Sequence, residues 1–204
     1  MNSGGTGGSF RKWRLPWLIL VVTVSLGIFL ALKRGSAPRE GIQPPLERSR
    51  NDLVLRDGRL FDGERPFTGL VLEHYDGGAL KSCSTVLNGL LEGLSEGRHT
   101  NGALQVTEYF VRGVSQGTRT KYHPNGNKLS TATIVDGKIQ GHYERWYDDG
   151  TQAEQIRLTN GIAHGESFAF HPDGSLKARV RLDQGTVIEQ KFFQPGEVRA
   201  TALR

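Results

Sequence analysis

Glycine recurs in this chain at a fixed interval of 24 residues, and this interval limits the folds that the chain can adopt. Three positions of the interval hold glycine in each of five successive copies, without an insertion or a deletion. These positions are Gly69, Gly93, Gly117, Gly141 and Gly165; Gly78, Gly102, Gly126, Gly150 and Gly174; and Gly89, Gly113, Gly137, Gly161 and Gly185. A period of this length is typical of a repeat architecture and argues against one large core.

Short segments rich in β-branched and aromatic residues lie between the glycines, and turn residues close each segment. Asn88-Gly89, Asp136-Gly137 and Asn160-Gly161 are typical of tight β-hairpins, because glycine adopts a positive φ without steric strain. The turns are too frequent for long amphipathic helices in this region. We therefore predict an all-β fold, a repetitive antiparallel meander of five 24-residue β-hairpins.

One column of the repeat, three residues before the third glycine, is apolar in every copy. Its members are Val86, Phe110, Ile134, Leu158 and Leu182. Because residues of the same parity share a face of a sheet, this column predicts an apolar spine on one face and a more polar opposite face.

The repeat unit resembles the MORN repeat in its bacterial variant form, in which an aromatic pair precedes an Asn-Gly or Asp-Gly turn and a Leu-Lys-like strand follows. The matching segments are HYDGGALKS (74–82), YHPNGNKLS (122–130), WYDDGTQAE (146–154) and FHPDGSLKA (170–178). The second copy departs from the pattern, because Gly97-Arg98-His99-Thr100 replaces the aromatic pair. Residues 65–69 resemble the half-repeat that opens such arrays.

The resemblance implies a binding or tethering module without catalysis. Bacterial proteins of this variant include those named as YwqK-type antitoxins, which implies a toxin as one candidate partner. Phospholipid binding also belongs to the family picture. A repeat alone does not define a function, so three classes remain open: a scaffold or tether, an antitoxin or immunity protein, and a module that binds envelope glycan or lipid.

An uncharged apolar run at residues 15–32 precedes the repeats, and basic residues bracket it. Eighteen helical residues span roughly 27 Å, just enough for the hydrocarbon core of a bilayer. We predict a single-pass anchor in the cell membrane, with a cleaved signal peptide as the alternative. The basic residues are equally numerous on both sides of the run, so their distribution does not decide the orientation in the membrane. We favour the orientation in which the repeat domain is extracytoplasmic.

Composition shifts along the chain define the expected domains. Residues 1–50 carry a net charge of +6, whereas residues 51–204 carry −1 and offer no basic footprint for nucleic acid. The Pro-rich stretch after the apolar run is typical of a semi-extended spacer. The predicted segments are a stub (1–14), a transmembrane helix (15–32), a linker (33–52), the repeat domain (53–196) and a tail (197–204).

Four aromatic residues form the candidate binding site: Tyr122, Trp146 and Phe170 share one column, and Tyr147 is adjacent. A ridge of tyrosine and tryptophan would suit a protein or glycan partner, but the same column could pack against the next hairpin. His99, His123 and His171 share another column, with Tyr75 and Tyr147 in the remaining copies. Strand spacing separates these histidines by roughly 9.5 Å, which favours a turn-flanking structural role over a metal site.

No catalytic motif accompanies the repeats. The chain contains no G-x-S-x-G, no P-loop, no H-E-x-x-H and no paired cysteines, since Cys83 is its single cysteine. We therefore expect no enzymatic activity, no cofactor and no metal. The expected function is protein–protein interaction or tethering at a membrane. The expected partner is a protein, and a toxin is one candidate.

Overall fold

The computed structural model describes residues 45–198. These residues form sixteen strands and one short 3-10 helix, Arg50–Asp52. The strands are β1 (Glu47–Ser49), β2 (Val54–Arg56), β3 (Arg59–Asp62), β4 (Arg65–Pro66), β5 (Gly69–His74), β6 (Leu80–Leu87), β7 (Leu90–Arg98), β8 (Leu104–Val111), β9 (Val114–Tyr122), β10 (Lys128–Val135), β11 (Lys138–Trp146), β12 (Gln152–Thr159), β13 (Ile162–Ala163), β14 (Gly165–Phe170), β15 (Leu176–Asp183) and β16 (Thr186–Phe192). The predicted all-β antiparallel meander is confirmed.

The main sheet follows the chain from β5 to β16, and each strand pairs antiparallel with the next. The short strand β13 pairs only with β12, at the side of this path. The strand β1 adds to the outer edge of β5 in parallel, with Arg48 opposite Val71. This strand lies inside the segment that the sequence predicts as linker, and it covers a sheet edge that would otherwise be open.

All fifteen glycines of the 24-residue interval have a positive φ. The third glycine of each copy ends a two-residue turn in which the preceding residue also has a positive φ, as at Asn88 (49°) and Gly89 (81°), and these are the angles of a type I′ hairpin. The second glycine closes a three-residue loop: the Gly126 N–H donates to the carbonyl of His123 at 2.9 Å. In the copies after the first, the first glycine accompanies a bulge, as at Gly141, where the register of β11 slips against β10.

Each spine residue lies opposite a first glycine, as Val86 does opposite Gly69 and Leu158 opposite Gly141. We call the face that carries these residues the spine face. Val86 and Ile134 are each only 1% exposed, but Phe110, Leu158 and Leu182 are half-buried. The spine residues therefore occupy the same position in every repeat, but the exposed fraction of their side chains differs between repeats.

The two faces of the sheet differ in polarity less than we predicted. Ser84, Ser95 and Glu108 lie side by side on the spine face. Leu87, Val111 and Val135, beside the type I′ turns, are 48%, 37% and 47% exposed on the opposite face. A sheet that is mostly one layer thick has no second layer to sort polar from apolar side chains, so both faces remain mixed.

A three-stranded sheet of β2, β3 and β4 caps the beginning of the array. It brings Leu53, Leu60 and Phe67 against Val71 and Val86 of the spine face, and these five residues form a buried cluster. The Leu60 N–H donates to the carbonyl of Gly89 at 2.8 Å, which ties the cap to the first type I′ turn. Residues 65–69, which resemble an opening half-repeat, thus contribute both β4 and the buried Phe67.

The predicted stub and transmembrane helix, residues 1–32, lie outside the described residues, as does most of the linker. Within residues 45–198, no helix is long and apolar enough to cross a membrane.

Candidate functional site

The predicted aromatic residues lie at the three-residue loops. Tyr122, Trp146 and Phe170 are the last residues of β9, β11 and β14, and Tyr147 is the first residue after β11. Phe170 is only 4% exposed, so its ring belongs to the interior and not to an accessible ridge. Tyr122, Trp146 and Tyr147 are half-buried. The structure therefore does not bring the four residues together as one open surface.

Tyr147 belongs to a ladder of hydrogen bonds that joins successive repeats. Its hydroxyl donates to the carbonyl of Phe170 at 2.9 Å. The equivalent side chain in each other copy makes the same kind of bond: Tyr75 to Arg98 (2.7 Å), His99 to Tyr122 (2.9 Å), His123 to Trp146 (3.0 Å) and, one residue short of the period, His171 to Phe193 (3.1 Å). The candidate aromatic residues thus take part in this ladder. Tyr147 donates through its hydroxyl, and Tyr122, Trp146 and Phe170 accept through their backbone carbonyls.

The three histidines of this column have the structural role that their position predicts. A carbonyl oxygen only accepts hydrogen bonds, so Nε2 of each ring carries the proton. Tyrosine and histidine can both occupy this column because each presents a polar hydrogen at a similar distance from the backbone. Within the described residues, no three histidine, cysteine or acidic side chains form a group that could hold a metal ion.

A second ladder joins the repeats at the opposite end of the hairpins. The Gly113 N–H donates to the carbonyl of Leu91 at 2.8 Å, and the Gly137 N–H donates to that of Ser115 at 3.0 Å. The same contact recurs at Gly89, Gly161 and Gly185. Both ends of each hairpin are therefore fixed, and the spine face between them is a rigid platform.

An apolar groove of about 240 Å³ opens on the spine face near the C-terminal end of the array. Strands β12 to β15 line it, with Ile156, Val180 and Leu182 as its larger aliphatic side chains. Ala163 and Ala169 give it depth. Pockets that hold drug-sized ligands measure roughly 300–1,000 Å³, so this groove suits one or two amino-acid side chains better than a cofactor.

Ser167 lies in the groove and accounts for its existence. The residues one and two repeats earlier in the same column are Tyr143 and Arg119, which have much larger side chains. Ser167 is directly opposite Val180, and its small side chain leaves the groove open. The groove therefore lies where the column returns to a small residue after Arg119 and Tyr143.

The hydroxyl of Ser167 is buried, at 7% exposure for the residue, and forms no hydrogen bond with another described residue. A buried hydroxyl without a partner is costly, by about 1–3 kcal/mol. No described base contacts it, so nothing in the groove activates it as a nucleophile. Its chemistry is that of a free hydrogen-bonding group in an apolar setting.

One ion pair borders the groove. Arg145 donates to the carboxylate of Glu154, a groove residue, at 2.7 Å. This hydrogen bond raises the pKa of the Arg145 guanidinium. The guanidinium also lies 5.9 Å from the centre of the Tyr147 ring, which connects the groove rim to the tyrosine and histidine ladder.

Cys83 lies in β6, away from the groove. Burial, followed by the nearby Glu96 and Glu47 carboxylates, raises the pKa of its thiol. A raised pKa disfavours the reactive thiolate. Cys83 is therefore a packing residue.

The sequence contains a signal for the groove that our prediction missed. A comparison of the five copies at the Ser167 column shows Val71, Ser95, Arg119, Tyr143 and Ser167. Ser95 is hydrogen-bonded to Ser84 across the strands at 2.6 Å, whereas Ser167 faces Val180. The two serines differ only in the residue that lies opposite each of them on the neighbouring strand.

The comparisons with known proteins agree with the repeat. Residues 115–136 match the family model of the MORN repeat variant. This segment contains most of β9, the three-residue loop and β10, which is one loop of the array with its two strands. The resemblance to the MORN repeat variant is confirmed there, and residues 45–198 form a nearly all-β repeat array. No curated protein matches the chain.

Proposed function

We propose that this chain is a non-catalytic interaction module, held at the cell membrane by residues 15–32, in which the groove around Ser167 receives an apolar side chain of a protein partner. The single observation that carries the proposal is the unpartnered, buried Ser167 hydroxyl in a largely apolar groove. A partner whose apolar side chain fills the groove, and whose backbone carbonyl accepts a hydrogen bond from this hydroxyl, removes the cost of leaving the hydroxyl unsatisfied.

The rigidity of the surroundings supports the proposal. Two ladders of hydrogen bonds fix the hairpins at both ends. A preformed surface loses little conformational entropy when it binds, so even a small groove can contribute useful affinity. The size of the groove and its aliphatic lining favour leucine, isoleucine or phenylalanine from the partner.

The membrane part of the proposal is supported by the uncharged apolar run at residues 15–32 and its basic flanks. A tethered module meets partners in or near the same membrane at a raised effective concentration, so modest affinity is sufficient. A toxin is one such partner if this chain acts as an immunity protein.

The test fills the groove with a side chain that the repeat already tolerates. Ser167→Tyr introduces the residue found one repeat earlier, at Tyr143. Thr118→Tyr adds the same aromatic side chain at an exposed position of β9 and is the matched control. We expect a partner captured with the full-length chain from solubilised membranes to be lost with Ser167→Tyr and retained with Thr118→Tyr.

Equal recovery of the partner with both variants would contradict the proposed site. Ser167→Ala refines the result, because it removes the hydroxyl and keeps the groove open. We expect it to weaken binding by roughly five- to tenfold, the cost of one lost hydrogen bond.

A further inference from the structure

The last strand of the array, β16, presents an open edge. Within residues 45–198 it is hydrogen-bonded to β15 alone. All seven of its residues are exposed, and Val187, Ile188 and Phe192 are 50%, 54% and 67% exposed. The opposite end of the sheet is different, because β1 covers the outer edge of β5. An exposed apolar edge strand is a template for pairing with another strand.

The direction of the free backbone groups follows from one hydrogen bond. The Phe193 N–H donates to the carbonyl of Lys177 in β15 at 3.0 Å. Hydrogen bonding alternates along an antiparallel strand. The backbone groups of Glu189 and Lys191 therefore point toward β15, and those of Gln190 and Phe192 point away from the sheet.

The sequence of β16 is complementary to itself about Gln190. In an antiparallel pair of two copies centred on this residue, Glu189 lies opposite Lys191 of the second copy, and Ile188, the extra residue of the bulge in β16, lies near its Phe192. Both contacts occur twice because of the two-fold symmetry. Centring on Glu189 or on Lys191 would instead place like charges opposite each other.

We propose that two copies of this chain associate through β16, pairing antiparallel about Gln190, to form one continuous sheet. The outward N–H and carbonyl of Gln190 would exchange hydrogen bonds with those of the second Gln190. Such an interface is isologous and closes at two copies, because it consumes the open edge of each. The second sheet extends the first in its own plane, so the groove around Ser167 stays accessible on the spine face.

Cysteine crosslinking in the full-length chain tests the register. Directly opposite residues of a hydrogen-bonded pair have Cα atoms about 5.5 Å apart, within the range for a disulfide. Diagonal residues are about 7–8 Å apart. In a Cys83→Ser background and mild detergent, we expect Gln190→Cys to form a disulfide-linked dimer on gentle oxidation and Glu189→Cys to form little.

Charge exchange tests the pairing without removing a backbone bond. Glu189→Lys or Lys191→Glu alone places like charges opposite each other, and we expect each to weaken dimerisation by roughly tenfold. The double exchange restores both pairs and should restore most of the affinity. The readout is the sedimentation of the full-length chain over a range of concentrations.

A proline tests the backbone bonds. Gln190→Pro removes an N–H that points away from β15, so β15 and β16 can remain paired while the dimer is lost. Lys191→Pro removes an N–H that points to β15 and should also destabilise the fold. A monomeric wild-type chain at micromolar concentrations, or a dimer that survives both Gln190→Pro and the single charge changes, would overturn the proposal.

Discussion

The two ends of the meander differ in how their outermost strand is covered. At the N-terminal end, β1 pairs with β5, and the cap sheet buries Leu53, Leu60 and Phe67 against the spine face. At the C-terminal end, β16 has no neighbour beyond β15 in the described residues, and all of its side chains are exposed. Within the described residues, the array is thus capped at one end and ends in an exposed strand at the other.

The comparison extends to the spine face itself. Near the cap, Ser84 and Ser95 satisfy each other with a hydrogen bond, and Arg119 pairs with Glu108. Near the open end, Ser167 has no described partner and lies among aliphatic side chains. The serine of this row near the cap is thus satisfied by its neighbour, whereas the Arg119 Nε in the middle of the array and the Ser167 hydroxyl near the open end have no hydrogen-bond partner among the described residues.

The largest expected effect concerns the cap. Phe67→Ala should lower the free energy of unfolding by about 3–5 kcal/mol, because it removes a buried ring from the cluster that holds the cap. Phe192→Ala in β16 removes the same ring from an exposed position and should cost less than about 0.5 kcal/mol in the monomer. Denaturant unfolding of the full-length chain measures both, and similar losses would mean that the two ends are equally important for stability.

Glycine substitutions rank next. Gly126→Val and Gly150→Val place a β-branched residue at a φ of 90° and should each cost about 1–3 kcal/mol. Gly77→Ala should have little effect, since Gly77 does not have a positive φ and no atom lies near its added Cβ. Thermal unfolding followed by circular dichroism compares the three variants. If Gly77→Ala were as damaging as the valine variants, the explanation from backbone angles would be wrong.

The tyrosine and histidine ladder should contribute a smaller amount. Tyr147→Phe removes only the hydroxyl and leaves the carbonyl of Phe170 without this bond, at a cost of about 1 kcal/mol. Tyr143→Phe is the matched control, because no described hydrogen bond involves the Tyr143 hydroxyl, and it should be close to neutral. Tyr75→Phe repeats the test near the cap, where fraying is less. Equal stability of all three variants would remove the ladder from the account.

The smallest expected effect is a gain. Arg112 and Gln184 have φ values of 48° in type I′ turns that hold asparagine or aspartate in the other copies. Arg112→Asn and Gln184→Asn should each stabilise the chain by up to about 1 kcal/mol, since asparagine tolerates this conformation better. Hydrogen exchange of the adjoining strands would show the gain locally, and slower exchange in β15 and β16 would be specific to Gln184→Asn. Unchanged exchange in both variants would argue against strain at these turns.

The meander was predictable because its signals are local. Gly89, Gly126 and their equivalents mark every turn, and short turns between strands specify antiparallel neighbours. Asp57-Gly58, with φ values of 48° and 74°, carries the same signal for the cap hairpin, which our prediction did not use. The pairing of β1 with β5 was not predictable in this way, since a parallel contact between distant segments leaves no turn residue between them.

Prediction of the groove would have required the differences between the copies, and not the repeat pattern that the copies share. Serine at positions 95 and 167 looks alike in the sequence, and only the neighbours Ser84 and Val180 separate a satisfied hydroxyl from a free one. The aromatic column could be recognised in the sequence, but its part in the hydrogen-bond ladder could not. The acceptors of the ladder are backbone carbonyls, which every residue possesses, so the sequence holds no mark of them.

The two ladders also set a unit of growth for the molecule. Each repeat carries one donor at either end of its hairpin and offers the acceptors that its neighbours need. Duplication of any 24-residue copy would therefore preserve every joint and lengthen the sheet by two strands, or about 9.6 Å. The distance between the capped end of the sheet and its open end can thus change in whole steps, without redesign of the groove or of the terminal strand.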